Sequence, residues 1–478
     1  MIRTLSQVAK DNSRATLLTL SMALFMLCGY SLLFLSGDPM LLQLLTYAYL
    51  GGTTMLGAWL YITNPGLFLG FAWWVWFVTP LVRRVVDYQL DSFTPPKAAF
   101  ILLAPYVVTS LTVFDLPRYG RLLLRRSNLP FLLCMVGVLY GYLVGLPANP
   151  MAATIDLLNW FCPLLLGFRM VALWRTYPQH KRFTISVFTW GVLLLGLYGV
   201  AQFFVVPPWD AFWMTNSGMN SIGKPVPFEV RIFGTMDSAG PFAMFLMAGL
   251  VLLFARSSIT SKLAILPGFT AFLLTIVRGA WGGWVLAVGY VAVRAHRSSR
   301  VQLIGSILLA LAISIPLAMT GEIGDRAETR MQSFTELGQD GSLNARRHMY
   351  ERMSGKALLN PLGEGLGGQT FDSGIINVLW LLGWPGGFLY LSGLFLVVKE
   401  LLTGPVTDKF ATLAGGVALS YAALMLMATQ TGGMKGCIFW SFVALVLASR
   451  RYYEEQEGQS PDPASSPDDV RRAPAAVA

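Results

Sequence analysis

Apolar stretches recur along nearly the whole chain, each of about 18–20 residues, which is the length of a helix that crosses a bilayer. Charged residues, Pro or Gly bound each stretch. Of the 478 residues, 55% are hydrophobic and 13% are charged, whereas soluble domains carry about 25% charged residues. The pattern predicts an all-α, polytopic helical membrane protein.

Hydropathy and the charged boundaries together predict about fourteen transmembrane helices in a single membrane domain, residues 1–453. The predicted spans are 16–36, 41–61, 65–82, 97–114, 130–147, 154–174, 183–205, 239–255, 262–277, 279–294, 301–319, 374–398, 410–427 and 435–449. We expect the first to be a retained helix rather than a cleaved signal peptide, because it has no small-residue cleavage site. Residues 454–478 are rich in Pro, Ser and charge, which predicts a disordered tail.

The basic connections fix the predicted orientation. With fourteen spans they fall on one side together with both termini, and the positive-inside rule makes that side cytoplasmic. They contain Arg118, Arg121, Arg125, Arg126, Arg175, Lys181, Arg182, Arg256, Lys262, Arg294, Arg297, Arg300, Lys399, Lys409, Arg450 and Arg451. The net charge of +10 therefore reflects loop asymmetry, and it predicts the lipid bilayer rather than nucleic acid as partner.

A single ionisable residue, Arg278, interrupts the apolar run between Lys262 and Arg294. Both flanking residues lie in predicted cytoplasmic connections, so the run must leave the membrane surface and return. It has about 31 residues, whereas two full spans need about 40. The tip, Arg278-Gly279, is therefore expected to lie recessed below the outer surface, with Gly279, Gly282 and Gly283 allowing close approach. A guanidinium at that depth requires an anion, either a lipid-linked phosphate or a carboxylate of the bundle.

Two connections on the predicted outer face are long, about 206–238 and 320–373. The first contains Arg231 and Asp237. The second contains an amphipathic stretch, residues 344–359, that is expected to lie in the membrane interface. The sequence "NPLGEGLGG" then breaks this helix and permits a tight backbone. Arginine forks match phosphate oxygens, and the outer arginines are Arg231, Arg278, Arg326, Arg330, Arg346 and Arg347.

Arg83 and Arg84 also fall on the predicted outer side, against the positive-inside tendency. Two explanations stand. Either they pair with Asp87 and Asp91, or they add to an anion site.

Four motifs in the second half of the chain resemble those of the O-antigen ligase and O-antigen polymerase superfamily of bacterial inner-membrane glycosyltransferases. They are "RIFGTMDSAG" (231–240), "TIVRGAWGG" (275–283), "NARRHMYERMSGKALLNPLGEGLGG" (344–368) and "DSGIINVLWLLGWPGG" (372–387). Their order and spacing agree over residues 185–450, and the first half is similar in hydropathy only.

The resemblance implies a C-type glycosyltransferase-like fold and metal-independent transfer of glycan from undecaprenyl pyrophosphate, without a cofactor. By position, it assigns pyrophosphate binding to Arg231, Arg278 and Arg347, with Arg346 adjacent. The active site would face the periplasm. A chain-length regulator or export complex is a further partner that the resemblance allows.

One departure from the family concerns the acid–base residue. Ligases of this family carry a histidine just before the helix that follows the large loop, where this chain has Asp372 and Ser373. Asp372 is the candidate base, since a carboxylate can activate a hydroxyl; alternatively it caps that helix. His348 is a second candidate, and Glu364 and Asp237 remain open.

The missing histidine favours a polymerase of lipid-linked repeat units, for exopolysaccharide or O-antigen. The alternatives are a ligase that transfers finished glycan to lipid A core or to protein, and a flippase of lipid-linked sugar. A transporter predicts buried charge in both halves of the bilayer, whereas a transferase predicts one outward site.

Overall fold

The computed structural model describes residues 39–94, 99–294, 355–371 and 373–458. These residues are helical, with one isolated bridge between Gly223 and Val230 in place of any strand. The α-helices are α1 (Pro39–Thr63), α2 (Pro65–Gln89), α3 (Ala104–Ser110), α4 (Asp115–Tyr119), α5 (Leu129–Gly145), α6 (Pro150–Ala172), α7 (Tyr177–Val205), α8 (Pro208–Asn216), α9 (Ala239–Leu252), α10 (Ile259–Leu274), α11 (Arg278–Arg294), α12 (Gly374–Thr403), α13 (Lys409–Leu424) and α14 (Gly433–Gly458).

Seven helical segments among the described residues are long and apolar enough to cross a membrane. They are Pro65–Gln89, Phe100–Leu124, Arg126–Gly145, Pro150–Ala172, Trp174–Val205, Gly374–Thr403 and Gly433–Glu457. The protein is therefore a helical membrane protein, as its hydropathy predicts. The predicted spans 16–36 and 301–319 lie outside the described residues.

Asparagine–proline pairs begin two of these helices. The Asn64 side chain accepts a hydrogen bond from the Leu67 N–H at the start of α2, and Asn149 accepts one from Ala152 at the start of α6. The proline that follows each asparagine has no N–H to leave unpaired and has the φ of a helix. An asparagine cap followed by proline therefore fixes where both helices begin.

Three predicted boundaries are wrong because the helices continue past them. Helix α2 extends to Gln89 rather than ending at residue 82, so Arg83 and Arg84 lie within the helix and not in a loop. The segment predicted as 97–114 continues through alternating α and 3-10 turns to Leu124. Helix α14 runs through Gly458, so residues 454–458 belong to it rather than to the predicted tail.

Ion pairs and hydrogen bonds join the connections that are predicted to share the cytoplasmic side. Arg175 pairs with Glu455 at 2.7 Å, and Lys181 pairs with Asp408 at 2.8 Å. Arg451 donates to Asn128 at 2.8 Å. Arg294 likewise donates to the Gly404 carbonyl at 2.8 Å. These contacts place one end of the bundle together, and the long connection 206–238 lies away from it.

Candidate functional site

Arg231 fastens the first long connection to the tip of the α10–α11 hairpin. Its Nε donates to the Thr275 carbonyl at 2.6 Å and its Nη2 to the Ile276 carbonyl at 2.9 Å. Nη1 donates to the Ser221 carbonyl at 3.2 Å. Ile276 has a φ of +52°, a left-handed conformation that is costly for a β-branched residue. The guanidinium therefore holds a strained turn two residues before Arg278.

The hairpin itself is short, as its sequence predicts. Helices α10 and α11 have 16 and 17 residues. At 1.5 Å per residue they are about 24 and 26 Å long, against a hydrocarbon core of about 30 Å. Arg278 is the first residue of α11 and is half-buried. It thus stands at the apex of a hairpin that does not reach across a full bilayer.

The glycines after Arg278 differ in how closely other groups approach them. A Cβ on Gly283 would lie 2.7 Å from Leu424 Cδ1 and 2.8 Å from Met247 Sδ, so these two side chains would have to shift to admit one. The expected close approach of other backbone is not seen at these two glycines: side chains approach Gly283, and no described residue lies within 4 Å of a Cβ built at Gly282. At Gly279 the neighbour is Met427, at an ordinary 3.6 Å.

Residues 231–238, the segment that carries Arg231, are fixed by buried polar groups from neighbouring helices. The Gln202 side-chain carbonyl on α7 accepts from the backbone N–H of Phe233 and of Gly234, at 2.9 and 3.0 Å. The Thr235 hydroxyl donates to the Phe77 carbonyl on α2 at 2.6 Å. Arg231 therefore projects from a segment whose backbone has little freedom.

A buried ion pair supports the same segment. Arg84 Nη1 and Asp210 Oδ1 lie 2.8 Å apart, and both side chains are fully buried. Arg84 Nη2 also donates to the Gly234 carbonyl at 2.6 Å. Tyr198 and Gln202 donate to Asp210 Oδ2 at 2.7 and 2.6 Å. The carboxylate thus gathers one cation and two neutral donors, as a buried charge requires.

The two outer arginines that the sequence left open have structural partners. Arg83 Nε donates to Asp87 at 3.2 Å, which is one of the predicted pairings, and its Cζ lies 4.5 Å from the Trp213 ring centroid. Arg84 pairs with Asp210, which the sequence did not indicate because the two are far apart in the chain. Both arginines therefore hold α2 against α8 and its neighbours, next to the segment that carries Arg231.

Asp237 stands beside this network as a carboxylate with unused hydrogen-bonding capacity. Its Oδ1 is shielded from solvent and has no hydrogen-bond partner among the described residues. Burial raises the pKa of the Asp237 carboxyl, against the opposing fields of Arg84 and Arg83. A carboxyl whose pKa is raised toward neutrality is suited to accept a proton from a hydroxyl, so Asp237 remains a candidate base.

The glycine loop 360–368 inserts into a break in helix α12. Gly383 has a φ of +60°, and Pro385 follows it without an N–H. The carbonyls of Trp380 and Leu381 accept instead from the N–H groups of Glu364 and Gly365, at 2.8 and 3.1 Å. The predicted tight backbone in this loop is confirmed: a Cβ on Gly365, whose φ is +80°, would lie 2.2 Å from the Gly145 nitrogen.

Asp156 is a residue of this region that sequence reasoning missed. It is half-buried on α6, and its Oδ2 accepts from the Gly367 N–H at 2.8 Å, which ties the glycine loop to that helix. A signal was available, since Asp156 is an ionisable residue inside the predicted span 154–174. Glu364, an earlier candidate base, is exposed and bonded by Asn360 at 3.4 Å.

The remaining predicted site residues lie outside the described residues; they are Asp372, His348, Arg346, Arg347, Arg326 and Arg330. The N-cap of α12 is Ser373, whose hydroxyl accepts from the Ile376 N–H at 3.4 Å. Phe371 is fixed by two hydrogen bonds with the Asn377 amide, at 2.7 and 2.6 Å.

Two of the four motifs are thus in direct contact, through Arg231 and the Thr275–Ile276 turn. The other two meet where the glycine loop enters the break in α12. No known protein-family model matches this chain, and no curated protein matches it.

Proposed function

We propose that this protein is a metal-independent glycosyltransferase that polymerises undecaprenyl-pyrophosphate-linked oligosaccharide repeat units for exopolysaccharide or O-antigen synthesis. In this proposal the chain has about fourteen transmembrane helices in a C-type glycosyltransferase-like arrangement. It lies in the bacterial inner membrane with both termini in the cytoplasm, and its active site faces the periplasm.

The Arg231 contact with the hairpin tip carries the proposal. It brings two arginines of separate motifs to one recessed point, with Arg278 three residues after Thr275. Guanidinium groups at that depth match the oxygens of a lipid-linked pyrophosphate. Arg231 uses Nε, Nη1 and Nη2 on backbone carbonyls, so its first role is to position the turn. We assign the diphosphate primarily to Arg278 because Arg278 stands at the apex of the hairpin.

The chemistry is a displacement at an anomeric carbon. A hydroxyl of the acceptor sugar attacks, the bond to the pyrophosphate oxygen breaks, and the diphosphate departs with its negative charge. The arginines stabilise the charge that develops on the leaving group. Asp372 takes the hydroxyl proton, and His348 and Asp237 are the alternative bases. Each round lengthens the chain by one repeat unit.

Buried charge at both ends of the bundle keeps a flippase as the second candidate. Arg169 pairs with Asp115 at 2.6 Å near the end opposite to Arg84, and both side chains are buried. The Arg169 guanidinium also contacts other protein groups, however. It donates to the Tyr61 carbonyl, and its Cζ lies 4.0 Å from the Tyr61 ring centroid. A transport path would need charges open to cargo, so this pair is better explained as a link between helices.

Product size tests the proposal. Purified protein is reconstituted with an undecaprenyl-pyrophosphate oligosaccharide, and the products are resolved on a gel. A ladder that steps by one repeat unit supports a polymerase. A single transferred species that requires an added acceptor indicates a ligase. Unchanged donor under both conditions contradicts transferase function and leaves transport as the explanation.

A further inference from the structure

The segment that joins α13 to α14, residues 425–433, runs from the Arg278 hairpin to a second group of polar residues. At one end Met427 lies beside Gly279, with 3.6 Å between Sδ and a Cβ built there. At the other end Gly432 and Gly433 press against the Asn159 amide, where a Cβ on Gly433 would lie 2.8 Å from Oδ1. Four residues lie between Met427 and Gly432, so their Cα atoms are at most about 18 Å apart.

This segment holds hydrogen-bonding groups that the fold does not use. Gln430 is 5% exposed, and its side-chain Oε1 has no hydrogen-bond partner among the described residues. Thr431 is fully buried, and neither its hydroxyl nor the Tyr390 phenol has a hydrogen-bond partner of acceptable geometry among the described residues. Buried polar atoms are nearly always paired, so an unpaired carboxamide oxygen such as Gln430 Oε1 is an acceptor left for a hydroxyl group.

The neighbouring side chains are also neutral and polar. Tyr106 donates to Asn159 Oδ1 at 3.2 Å, and both residues are half-buried. Thr429 accepts from the Asn377 amide at 2.8 Å, which anchors the segment to α12. The tight Gly432–Gly433 pair brings the backbone itself to Asn159. Amides, hydroxyls and a phenol suit the hydroxyl groups of a sugar rather than an anion.

We infer that residues 425–433, together with Tyr106 and Asn159, form a glycan subsite that binds neutral sugar hydroxyls beside the pyrophosphate site. The inference rests on the proposed function and assigns the two parts of the substrate to two groups of residues. The arginines at the hairpin tip bind the diphosphate, and Gln430 and its neighbours bind the saccharide. The bound sugar belongs either to the acceptor or to the donor. Loss of the subsite would raise the KM of the acceptor in the first case and the KM of the donor in the second.

The test compares Gln430→Leu and Thr431→Val with the wild type in the reconstituted polymerisation assay. We expect KM to rise roughly tenfold for one substrate, the ratio that corresponds to the loss of one hydrogen bond, with kcat little changed. A rise for the acceptor only assigns the subsite to the acceptor, and a rise for the donor only assigns it to the donor sugar. Thr403→Val is the matched control, since its hydroxyl bonds within its own helix at the far end of α12.

Melting temperature separates binding from folding. Because these atoms have no partners among the residues that the structure describes, apolar substitutes are expected to leave the melting temperature unchanged or to raise it. A fall in melting temperature that parallels the loss of activity would assign both residues a structural role and overturn the subsite. Wild-type activity with unchanged KM values in both variants would also overturn it, while polymerisation stands. If the wild type makes no product, the proposed function has failed and the subsite fails with it.

Discussion

Arg84 on α2 and Asp210 on α8 form an ion pair with 2.8 Å between nitrogen and oxygen, and neither side chain is exposed. The pair links two helices and, through the Gly234 carbonyl, the segment that carries Arg231. A pair in this position acts on the site only through the backbone that it holds.

We expect Arg84→Met to destabilise the protein by about 3–5 kcal/mol, because it leaves the Asp210 carboxylate buried without its cation. Thermal unfolding in detergent measures the effect. Arg175→Met is the control, since Arg175 pairs with Glu455 in an exposed position and its loss should not shift the melting temperature. Equal melting temperatures for wild type and Arg84→Met would show that the pair does not support the segment.

Arg278→Ala is expected to abolish polymerisation, and Arg278→Lys to retain little of it, because lysine lacks the planar fork that matches a diphosphate. Chain products on a gel measure both. Arg256→Ala, at an exposed position at the other end of the bundle, should polymerise normally. Full activity in a correctly inserted Arg278→Ala protein would remove the anion site from the proposal.

Arg231→Lys is expected to lower kcat by about 10²-fold, since one ammonium cannot hold both the Thr275 and the Ile276 carbonyls and Arg278 then loses its fixed position. Steady-state kinetics in liposomes measure the change. A variant with normal kcat and a raised donor KM would instead make Arg231 a direct ligand of the substrate and not a positioning residue.

Acid should destabilise the end of the bundle where Asp408 caps α13. Burial by itself raises the pKa of Asp408, but hydrogen bonds from Lys181, the Ala411 N–H and Tyr177 bring it below its ordinary value of 3.8. The folded state therefore binds the proton less tightly than the unfolded state. The Asp408 carboxylate therefore stabilises the protein fully at pH values above its ordinary pKa of 3.8. This stabilisation is lost as the pH falls from 3.8 through the lower pKa of the folded state.

Melting temperature recorded from pH 7 to pH 3 tests this expectation. The wild type should lose stability at the acid end of that range, and Asp408→Asn should be less stable at neutral pH with a flatter acid limb. Identical pH profiles for the two proteins would mean that Asp408 does not contribute to acid sensitivity.

Gly363→Ala should destabilise the protein by about 2 kcal/mol or more, because Gly363 has a φ of +80° and a Cβ there would lie 2.4 Å from the Gly383 nitrogen. Gly355→Ala is the matched control, since no described residue lies within 4 Å of a Cβ built there. Melting temperatures of the two variants decide the point. If Gly363→Ala melts like Gly355→Ala, the loop is not held in the break of α12.

Local sequence patterns were sufficient to predict the helical membrane class and most helix positions. The length of the run around Arg278 predicts a short hairpin. Asn64-Pro65 and Asn149-Pro150 are further local signals of helix starts, and the second would have placed the predicted span 154–174 four residues earlier. These features depend on neighbours in the chain. The end of α2 was missed because the apolar pattern ends at Arg83. Only knowledge of the buried partners of Arg83 and Arg84 would have shown that the helix continues.

Long-range partners were beyond what the sequence could indicate. Arg84 and Asp210 are paired across two helices, and Asp156 accepts from Gly367 more than two hundred residues away. Whether a polar group is paired depends on packing, and periodicity carries no information about it. For the same reason the unpaired Oε1 of Gln430 has no signature in the sequence.

The break at Gly383 has a consequence for how the protein is made. Helix α12 cannot satisfy the Trp380 and Leu381 carbonyls by itself, and in lipid an unpaired carbonyl is costly. Residues 360–368 precede α12 in the chain and must return to it alongside α5, which is synthesised long before. Both partners of the break are therefore synthesised before α12, and the helix can be completed as soon as it enters the membrane. A chain in which residues 360–368 fail to return would instead expose an unfinished helix to quality-control proteases.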